Sequence, residues 1–325
     1  MKAWRLHEFG DPDKVLRLED VPVPEPGPGE LQIKPAVTGL TFAENLMIRG
    51  LYQMKPAFPY TPSFEIAGEV TATGRDTRFE VGDRVVGVGV PPHGSLAPRA
   101  ILQDEAAFPV PDGVSFETAL SLVGSYATAY YALKVRANLQ AGESVLVHAA
   151  AGAVGSACIQ LAKAWGAKVI GTAGGPDKVA FGKEQGADLM VDYLVDDFVP
   201  AVKEATQGRG ADVVCDHVGG DVFDASTRCT ASRGRILIIG FAGGRIADVA
   251  TNRILLKNIA VVGVMAARDS ESGDRMADLF TMYQLGKIDP PMTFVDFDTV
   301  PDSYLRIANR DCVGKYLVRI PHDEE

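Results

Sequence analysis

Up to about Phe116, the hydrophobic positions of the chain fall into short runs that Pro and Gly interrupt. Apolar and β-branched residues cluster at 31–34, 65–72 and 85–88, and a Pro- and Gly-rich segment at 21–30 precedes the first of these runs. Runs of this kind are typical of strands, and Gly and Pro favour the tight turns that join antiparallel neighbours. The pattern therefore predicts a β-rich region with few helices.

Beyond Phe116, short apolar runs begin to alternate with stretches of helical spacing. In 156–165, Ile159, Ala162 and Lys163 recur at steps that place them on one helix face. A parallel crossover needs a helix packed on a face of the sheet, so this alternation predicts an α/β fold with a doubly wound parallel sheet. The predicted strands are 144–149, 168–172, 189–191, 211–216, 235–240 and 258–264.

The end of the chain returns to strand patterns at 293–295 and 315–318. A length of 325 residues favours two domains, each large enough for its own apolar core. We therefore expect residues 1–121 together with 266–325 to form a β-rich domain, and residues 122–265 to form the domain that contains the parallel sheet.

Charge and composition argue against several classes of function. The chain has 32 Lys and Arg against 42 Asp and Glu, a net charge of −10, which argues against a general nucleic-acid or anionic-membrane surface. Gly and charged residues break every apolar run before it reaches membrane-spanning length, and no signal for export is expected at 1–10. The four cysteines form no Cys-x-x-Cys pair, so we expect a reducing, cytoplasmic location.

The turn after the first parallel strand carries a glycine pattern that suits phosphate binding. It reads Ala150-Ala151-Gly152-Ala153-Val154-Gly155, with Ala150 where a dinucleotide-binding turn usually begins with Gly. Gly152 lacks a Cβ, so a diphosphate can approach its backbone, and Gly155 allows close packing of helix on strand. The start of the helix supplies N–H donors and partial positive charge. A tight turn without a ligand is the alternative, which the strand before and the helix after the turn disfavour.

Residues after the second strand favour NADP over NAD. An NAD site usually has Asp or Glu at this tip, where the carboxylate binds the ribose hydroxyls. This chain has Thr172 and Gly174 there, followed by Lys178. A 2′-phosphate is repelled by a carboxylate and attracted by an ammonium group. Two alternatives stay open: Lys178 is an ordinary solvated helix residue, and Asp177 is either close to the phosphate or a solvent-facing acid of the first helical turn.

Several motifs together resemble one family over essentially the whole chain. They are Pro-Gly-Pro-Gly-Glu at 26–30, Gly-Glu-Val at 68–70, Val-Gly-Asp-Arg-Val at 81–85, the turn at 148–155, Gly-Ala-Lys-Val-Ile-Gly-Thr at 166–172, Asp192-Tyr193 and Gly314-Lys315. With them the chain resembles the zinc-independent medium-chain dehydrogenases/reductases, in particular the NADPH:quinone oxidoreductases related to zeta-crystallin. The resemblance implies a Rossmann-type sheet, a GroES-like β-rich catalytic domain and NADPH as the cofactor.

The resemblance also implies roles for single residues. Lys178 and Tyr193 match positions that hold the 2′-phosphate, and Gly174 matches the adenosine-side loop. Thr128 matches a threonine near the nicotinamide amide, and Arg310 an arginine that reaches the cofactor. The expected cofactor-binding residues are Thr128, Ala151, Gly152, Ala153, Val154, Thr172, Gly174, Lys178, Tyr193, Gly240, Phe241, Val264, Met265 and Arg310, of which Gly240, Phe241, Val264 and Met265 line the nicotinamide.

Tyr52 and Thr41 are the expected catalytic residues. Tyr52 matches a tyrosine that related enoyl-thioester reductases use as a proton donor, and a phenol gives rather than takes a proton at neutral pH. An aromatic cover for the cleft is the alternative role. Thr41 stands where many family members have Asn, and Glu44 where they often have Asp. A hydroxyl replaces an amide at Thr41, so the hydrogen-bond pattern around the substrate differs.

No zinc site is expected. Zinc-dependent relatives have Gly-His-Glu where this chain has Ser63-Phe64-Glu65, and 39–45 contains no Cys, so three or four converging N or S ligands are missing. His148 and His217 end the first and fourth strands, and we expect hydrogen-bonded structural roles for both, with donation from His217 to a ligand as the alternative.

These observations predict a reductase that transfers a hydride from NADPH to a quinone or to the activated C=C bond of an α,β-unsaturated carbonyl without a metal. The alternatives are an enoyl-thioester reductase and an NADPH-binding protein without turnover. An apolar edge strand at 258–264 physically needs a partner, and the family implies a homodimer there.

Overall fold

The computed structural model describes residues 1–265 and 272–322. The chain divides into two compact units, Met1–Gly124 with Met292–Glu325, and Ser125–Pro291. The expected division assigned all of 266–325 to the first domain. In the structure, the segment up to Pro291 belongs to the second unit, where the hydroxyl of Tyr130 donates to Asp278 across 2.7 Å.

The strands follow the apolar runs of the sequence. In chain order they are β1 (Lys2–Arg5), β2 (Arg17–Asp20), β3 (Glu30–Leu40), β4 (Glu65–Thr73), β5 (Arg84–Val88), β6 (Ala100–Gln103), β7 (Ala107–Pro109), β8 (Ser144–Val147), β9 (Lys168–Ala173), β10 (Leu189–Asp192), β11 (Ala211–Asp216), β12 (Thr230–Ile238), β13 (Ala260–Gly263), β14 (Met292–Val295) and β15 (Lys315–Arg319).

Most of the helices are short. They are α1 (Pro12–Val15), α2 (Phe42–Ile48), α3 (Phe116–Ser121), α4 (Ala127–Tyr130), α5 (Ala153–Ala164), α6 (Pro176–Glu184), α7 (Phe198–Ala205), α8 (Gly220–Cys229), α9 (Thr251–Lys257), α10 (Ser272–Gln284) and α11 (Val300–Ala308). Leu122–Tyr126 and Tyr131–Arg136 are π-helical, and Asp104–Ala106 and Phe297–Thr299 form single 3₁₀ turns.

The first unit is built on a seven-stranded sheet in the order β14-β15-β3-β4-β5-β7, with β6 paired to β3. Strand β3 alternates buried and partly exposed residues over most of its length, as a strand with one face on a core must. Leu31 and Ile33 on that strand pack with Ile66 and Val70 of β4. The C-terminal β15 pairs with β3, which confirms that the end of the chain rejoins the first unit.

The second unit contains a six-stranded sheet in the order β10-β9-β8-β11-β12-β13, and every pair in it is parallel. This is the strand order of a Rossmann-type doubly wound sheet, so the expected fold class is confirmed. All four residues of the central β8 are buried because helices cover both faces of such a sheet. The sheet order reverses beside β8, and ligands of such sheets bind at the carboxyl edge of that switch point.

Within residues 1–265 and 272–322, no helix is long and apolar enough to cross a membrane. Cys158, Cys215 and Cys229 are buried free thiols.

Candidate nucleotide-binding site

The turn from β8 into α5 lies at this switch point. Ala149 adopts a left-handed φ of +49°, and its carbonyl accepts from the N–H of Gly152 across 2.9 Å. Gly152 is the N-cap of α5 and has no side chain to cap the helix, so the N–H groups of Ala153 and Val154 begin a helix without a side-chain cap. Donors at an uncapped helix start, beside a glycine, form a site suited to a diphosphate.

The two glycines of the turn have different surroundings. A Cβ on Gly155 would lie 2.2 Å from the carbonyl oxygen of Ala149 and 2.9 Å from the Cα of Ala150. A Cβ on Gly152 would meet only the carbonyl oxygen of Ala149, at 3.3 Å. Gly155 is therefore required by helix–strand packing. Gly152 instead leaves an opening over the backbone that no described residue fills.

Thr172 faces inward rather than toward this edge. It is 2% exposed, and its Oγ1 lies 2.9 Å from Nδ1 of His148. The other ring nitrogen of His148 lies 2.8 Å from Oγ of Ser226, and that hydroxyl donates to the carbonyl of Val222. Ser226 therefore accepts from Nε2–H of His148, so Nδ1 carries no proton and accepts from the hydroxyl of Thr172.

This geometry changes the role expected of Thr172, because its hydroxyl is committed to His148 and its carbonyl accepts from the N–H of Ala150. It also gives His148 the expected structural role. Burial, with a smaller contribution from the charge of His217, lowers the pKa of His148 to about 3, so the ring stays neutral.

The adenosine-side loop lies between β9 and α6. Gly175 has φ +88° and is the N-cap of α6, and Lys178 is a half-buried residue of the first turn. Asp177 is exposed in that first turn, as the solvent-facing alternative requires. Tyr193 is 47% exposed, and its hydroxyl is so close to Gly174 that a Cβ there would lie 2.8 Å from it. The structure therefore brings Gly174 and Tyr193 together at the carboxyl edge.

The residues expected to line the nicotinamide follow the other half of the sheet. Gly240 and Phe241 follow β12 after one intervening residue, Ile239, and Val264 and Met265 come directly after β13. Because the strands are parallel, these residues share the carboxyl edge with Gly152. Phe241 is 38% and Met265 58% exposed, so both are accessible to a ligand.

His217, next to this edge, donates from Nδ1 to the carbonyl oxygen of His148 across 3.0 Å, since a carbonyl only accepts. Thr128 lies on α4 of the same unit. Arg310 follows α11 in the first unit, is exposed and has φ +59°.

Thr41 is the N-cap of α2 in the first unit. Its Oγ1 accepts from the N–H of Glu44 across 3.1 Å, and Oε2 of Glu44 accepts from the N–H of Thr41 across 3.2 Å. This reciprocal pair is a capping box, whose Thr-x-x-Glu signal stands at 41–44 of the sequence. Thr41 therefore has a structural role that the sequence analysis missed. Tyr52 is half-buried and packs against the apolar cluster that contains Tyr60 and Phe64.

Glu44 is the centre of a buried polar network that the sequence analysis did not recognise. It is 4% exposed and accepts from the N–H of Phe64 across 2.7 Å and from the hydroxyl of Tyr304 across 3.2 Å. Burial, together with the negative charge of Glu65, raises the pKa of Glu44 to about 7, against the lowering effect of its backbone hydrogen bonds. Glu65 itself forms a buried ion pair with Lys315.

The residues at the position of a dehydrogenase zinc do not fit that metal. Phe64 is 6% exposed and belongs to the apolar core, and the carboxylate of Glu65 is paired with the ammonium group of Lys315. The described parts of the chain contain no group of three or more His, Cys, Asp or Glu side chains that could hold a metal ion.

Two family profiles match the two halves of this architecture. Residues 27–132 match the family described as "Alcohol dehydrogenase GroES-like domain", and residues 153–281 match "Zinc-binding dehydrogenase". A GroES-like part joined to a Rossmann-type part defines a medium-chain dehydrogenase/reductase.

Individual relatives define the family more narrowly. The "Quinone oxidoreductase-like protein 2 homolog" of Nematostella vectensis is 39% identical over 98% of this chain and 89% of its own length. A crystal structure of a Pseudomonas syringae quinone oxidoreductase has a TM-score of 0.91 at 33% identity and covers 98% of this chain and 99% of that one. The structure of a mycobacterial protein complexed with NADPH has a TM-score of 0.90 at 31% identity, covering 99% and 100% of the two chains. The chain therefore belongs to the quinone oxidoreductase family, which confirms the resemblance.

Proposed function

We propose that this protein is an NADPH-dependent oxidoreductase that reduces a quinone or an activated C=C bond without a metal. The observation that carries the proposal is the opening over Gly152, which the atoms of residues 1–265 and 272–322 leave free beside the uncapped start of α5. A diphosphate fits such an opening, because backbone N–H groups and the helix dipole stabilise its charge. The mycobacterial relative complexed with NADPH supports this choice of cofactor.

The residues that would hold NADPH are the turn Ala151–Gly152–Ala153–Val154 for the diphosphate, Gly174 for the adenosine side, and Lys178 and Tyr193 for the 2′-phosphate. The ammonium group of Lys178 and the phenol of Tyr193 suit a phosphate, and the last residue of β9 is Ala173 rather than Asp or Glu. Gly240, Phe241, Val264 and Met265 provide the surface for the nicotinamide, with Thr128 and Arg310 as further expected contacts. When bound, NADPH supplies a hydride from its nicotinamide ring.

Metal-free reduction is supported by the residues that replace a zinc site. Phe64, in the apolar core, and Glu65, paired with Lys315, stand where a zinc site would need ligands for the ion that polarises a carbonyl. A quinone or an enone needs less activation than a simple ketone, because the incoming hydride gives a delocalised anion. Tyr52 is our candidate donor of the proton that neutralises this anion. Thr41 stays a weaker candidate, because its oxygen already accepts from Glu44.

The acceptor assay that tests this proposal follows NADPH oxidation at 340 nm with a benzoquinone, a naphthoquinone, a cyclic enone and a crotonyl thioester, each also with NADH. We expect turnover with a quinone or the enone, a preference for NADPH, and loss of that preference in Lys178→Ala. Turnover with the thioester alone would identify an enoyl-thioester reductase instead. Tight NADPH binding without any turnover would indicate a binding protein. A preference for NADH would contradict the cofactor assignment.

We also propose that the protein forms a homodimer through the β13 edge. Among the strands in the described part of the chain, β13 pairs only with β12, and Val261 on it is 38% exposed. The neighbouring helix α9 has no buried residue, with Leu255 and Leu256 76% and 78% exposed. An edge strand beside exposed leucines is stabilised by pairing with a second copy.

A further inference from the structure

The carboxylate of Asp192, the last residue of β10, joins two backbone segments at the carboxyl edge of the second unit. Its Oδ1 accepts from the N–H of Gly175 across 3.0 Å and from the N–H of Leu194, also across 3.0 Å. Gly175 belongs to the loop that follows β9, and Leu194 to the turn that follows β10. A single oxygen therefore connects the ends of two neighbouring strands.

These two segments carry the groups that the proposed function assigns to the 2′-phosphate. Gly174 and Lys178 flank Gly175 on one segment, and Tyr193 stands on the other, directly before Leu194. The Tyr193 hydroxyl lies against Gly174, so a small displacement of either segment would change the spacing between them. The hydroxyl of Thr172, which the sequence suggested for this region, is instead turned inward to His148.

We propose that Asp192 is a positioning residue that sets the preference for NADPH over NADH, an inference that rests on the proposed function. By holding Gly175 and Leu194 on one oxygen, it keeps Lys178 and Tyr193 at the separation that a 2′-phosphate requires. NADH lacks this phosphate, so its binding depends less on that separation. The two N–H donors also compensate the negative charge of the carboxylate, which would otherwise repel a phosphate.

Other bonds keep the surrounding fold in place when the side chain is changed. The N–H of Tyr193 donates to the carbonyl of Ala173 across 3.1 Å, and the backbone carbonyl of Asp192 accepts from Val195 and Asp196 across 3.1 and 2.9 Å. None of these bonds uses the carboxylate. We therefore expect variants at position 192 to fold and to differ chiefly in the geometry of the two segments.

The experiment compares dissociation constants for NADPH and NADH in the wild type and four variants by isothermal titration calorimetry. Asp192→Ala removes the bridge, and Asp192→Ser keeps a hydroxyl for the local bond to Leu194 but is too short to reach Gly175. Asp192→Asn keeps an acceptor oxygen at Oδ1 without the charge. The matched control is Asp197→Ala, in the same connection between β10 and α7. This variant also removes one negative charge, together with the hydrogen bond that the carboxylate accepts from the N–H of Val199.

We expect Asp192→Ala and Asp192→Ser to weaken NADPH binding about tenfold and NADH binding less than about twofold, because both variants lose the hydrogen bond to Gly175 that joins the two segments. Asp192→Asn should stay within about twofold of the wild type for NADPH, and Asp197→Ala should leave both constants within about twofold.

Equal weakening of both nucleotides in Asp192→Ala, or an Asp192→Asn variant as weak as Asp192→Ala, would overturn the inference. A wild-type protein that does not bind NADPH would instead refute the proposed function.

Discussion

The hydroxyl of Thr172 donates to Nδ1 of His148 across 2.9 Å, and both side chains are buried. With Ser226 on the other ring nitrogen, this bond completes the hydrogen bonding of a neutral imidazole. The hydrogen bond thus joins Thr172, near the end of β9, to His148, which follows β8 and precedes the turn at Gly152.

Thr172→Val is therefore expected to destabilise the protein. Valine has nearly the same shape, but it leaves Nδ1 of His148 as a buried acceptor without a donor, which costs about 1–3 kcal/mol. Urea denaturation at pH 7 measures this loss, and Thr172→Ser should recover most of it. An unchanged free energy of unfolding in Thr172→Val would show that the hydroxyl does not serve His148.

Glu44 should make stability depend on pH. Its pKa is raised to about 7 in the folded chain, from 4.5 for an ordinary glutamate. Between these values the native state binds more protons than the unfolded state, so the free energy of unfolding falls as the pH rises from about 4.5 to about 7. The shift corresponds to a loss of roughly 2–3 kcal/mol across that window.

Glu44→Gln mimics the protonated side chain, so urea denaturation across pH 4.5–7.5 should give a flatter profile for this variant than for the wild type. Glu69, an exposed residue of β4, offers a matched control, because Glu69→Gln should keep the wild-type profile. If Glu44→Gln retains the full wild-type slope, another group is responsible for it.

Removing Lys315 should be costly because it leaves the carboxylate of Glu65 buried without its counter-ion. Both side chains are nearly enclosed, at 5% and 11% exposure. Loss of one partner of a buried ion pair typically costs about 3–5 kcal/mol, whereas replacing both partners costs much less. Thermal and urea unfolding should therefore rank Lys315→Met as less stable than the double variant Glu65→Gln/Lys315→Met. The reverse order would show that the pair contributes little.

A charge on the edge strand should separate the proposed dimer. Val261→Lys places an ammonium group on β13, where pairing with a second copy would bury it. Light scattering after size exclusion should report a dimer for the wild type and a monomer for Val261→Lys. Val81, 67% exposed in a turn of the first unit, supplies the control Val81→Lys, which should stay dimeric. A monomeric wild type would refute the proposed interface.

Strong periodicity made the fold predictable from sequence. The strand at 211–216 was predicted with its observed bounds, and β9 differs by one residue, because buried parallel strands are continuous apolar runs between glycines and helices. The expected helix at 156–165 begins at Ala153 in the structure, since the helix starts directly from the Gly152 turn. The π-helical segments near Tyr126 and Tyr131 have no comparable pattern in the sequence.

The candidate site was less predictable. A strand buried on both faces has no polar alternation, so the sequence could not show that Thr172 points inward to His148. The network of Glu44, Tyr304 and Phe64 joins residues that are far apart in the chain, and no local motif indicates it. The capping box of Thr41 and Glu44 is different, because its Thr-x-x-Glu spacing is visible in the sequence and predicts the role that the structure assigns to Thr41.

Gly155→Ala should impair folding rather than binding alone. Its Cβ would lie 2.2 Å from a backbone oxygen and 2.9 Å from a backbone carbon, so α5 would have to move away from β8. Overpacking of this kind costs at least about 1–3 kcal/mol. Differential scanning calorimetry should show a clearly lower Tm for Gly155→Ala than for Gly152→Ala. Equal melting temperatures would contradict the packing role of Gly155.

Calorimetric titration of NADPH into the wild type and Gly152→Ala tests the central claim most directly. Alanine suits the backbone at this N-cap, with φ −79° and ψ 171°, and its Cβ requires only a small shift of the Ala149 carbonyl, so the variant should keep nearly the wild-type Tm. The same methyl group fills the opening assigned to the diphosphate. We predict NADPH binding by the wild type and a loss of at least about a hundredfold in affinity for the folded variant. A folded Gly152→Ala variant that binds NADPH as tightly as the wild type would contradict the account.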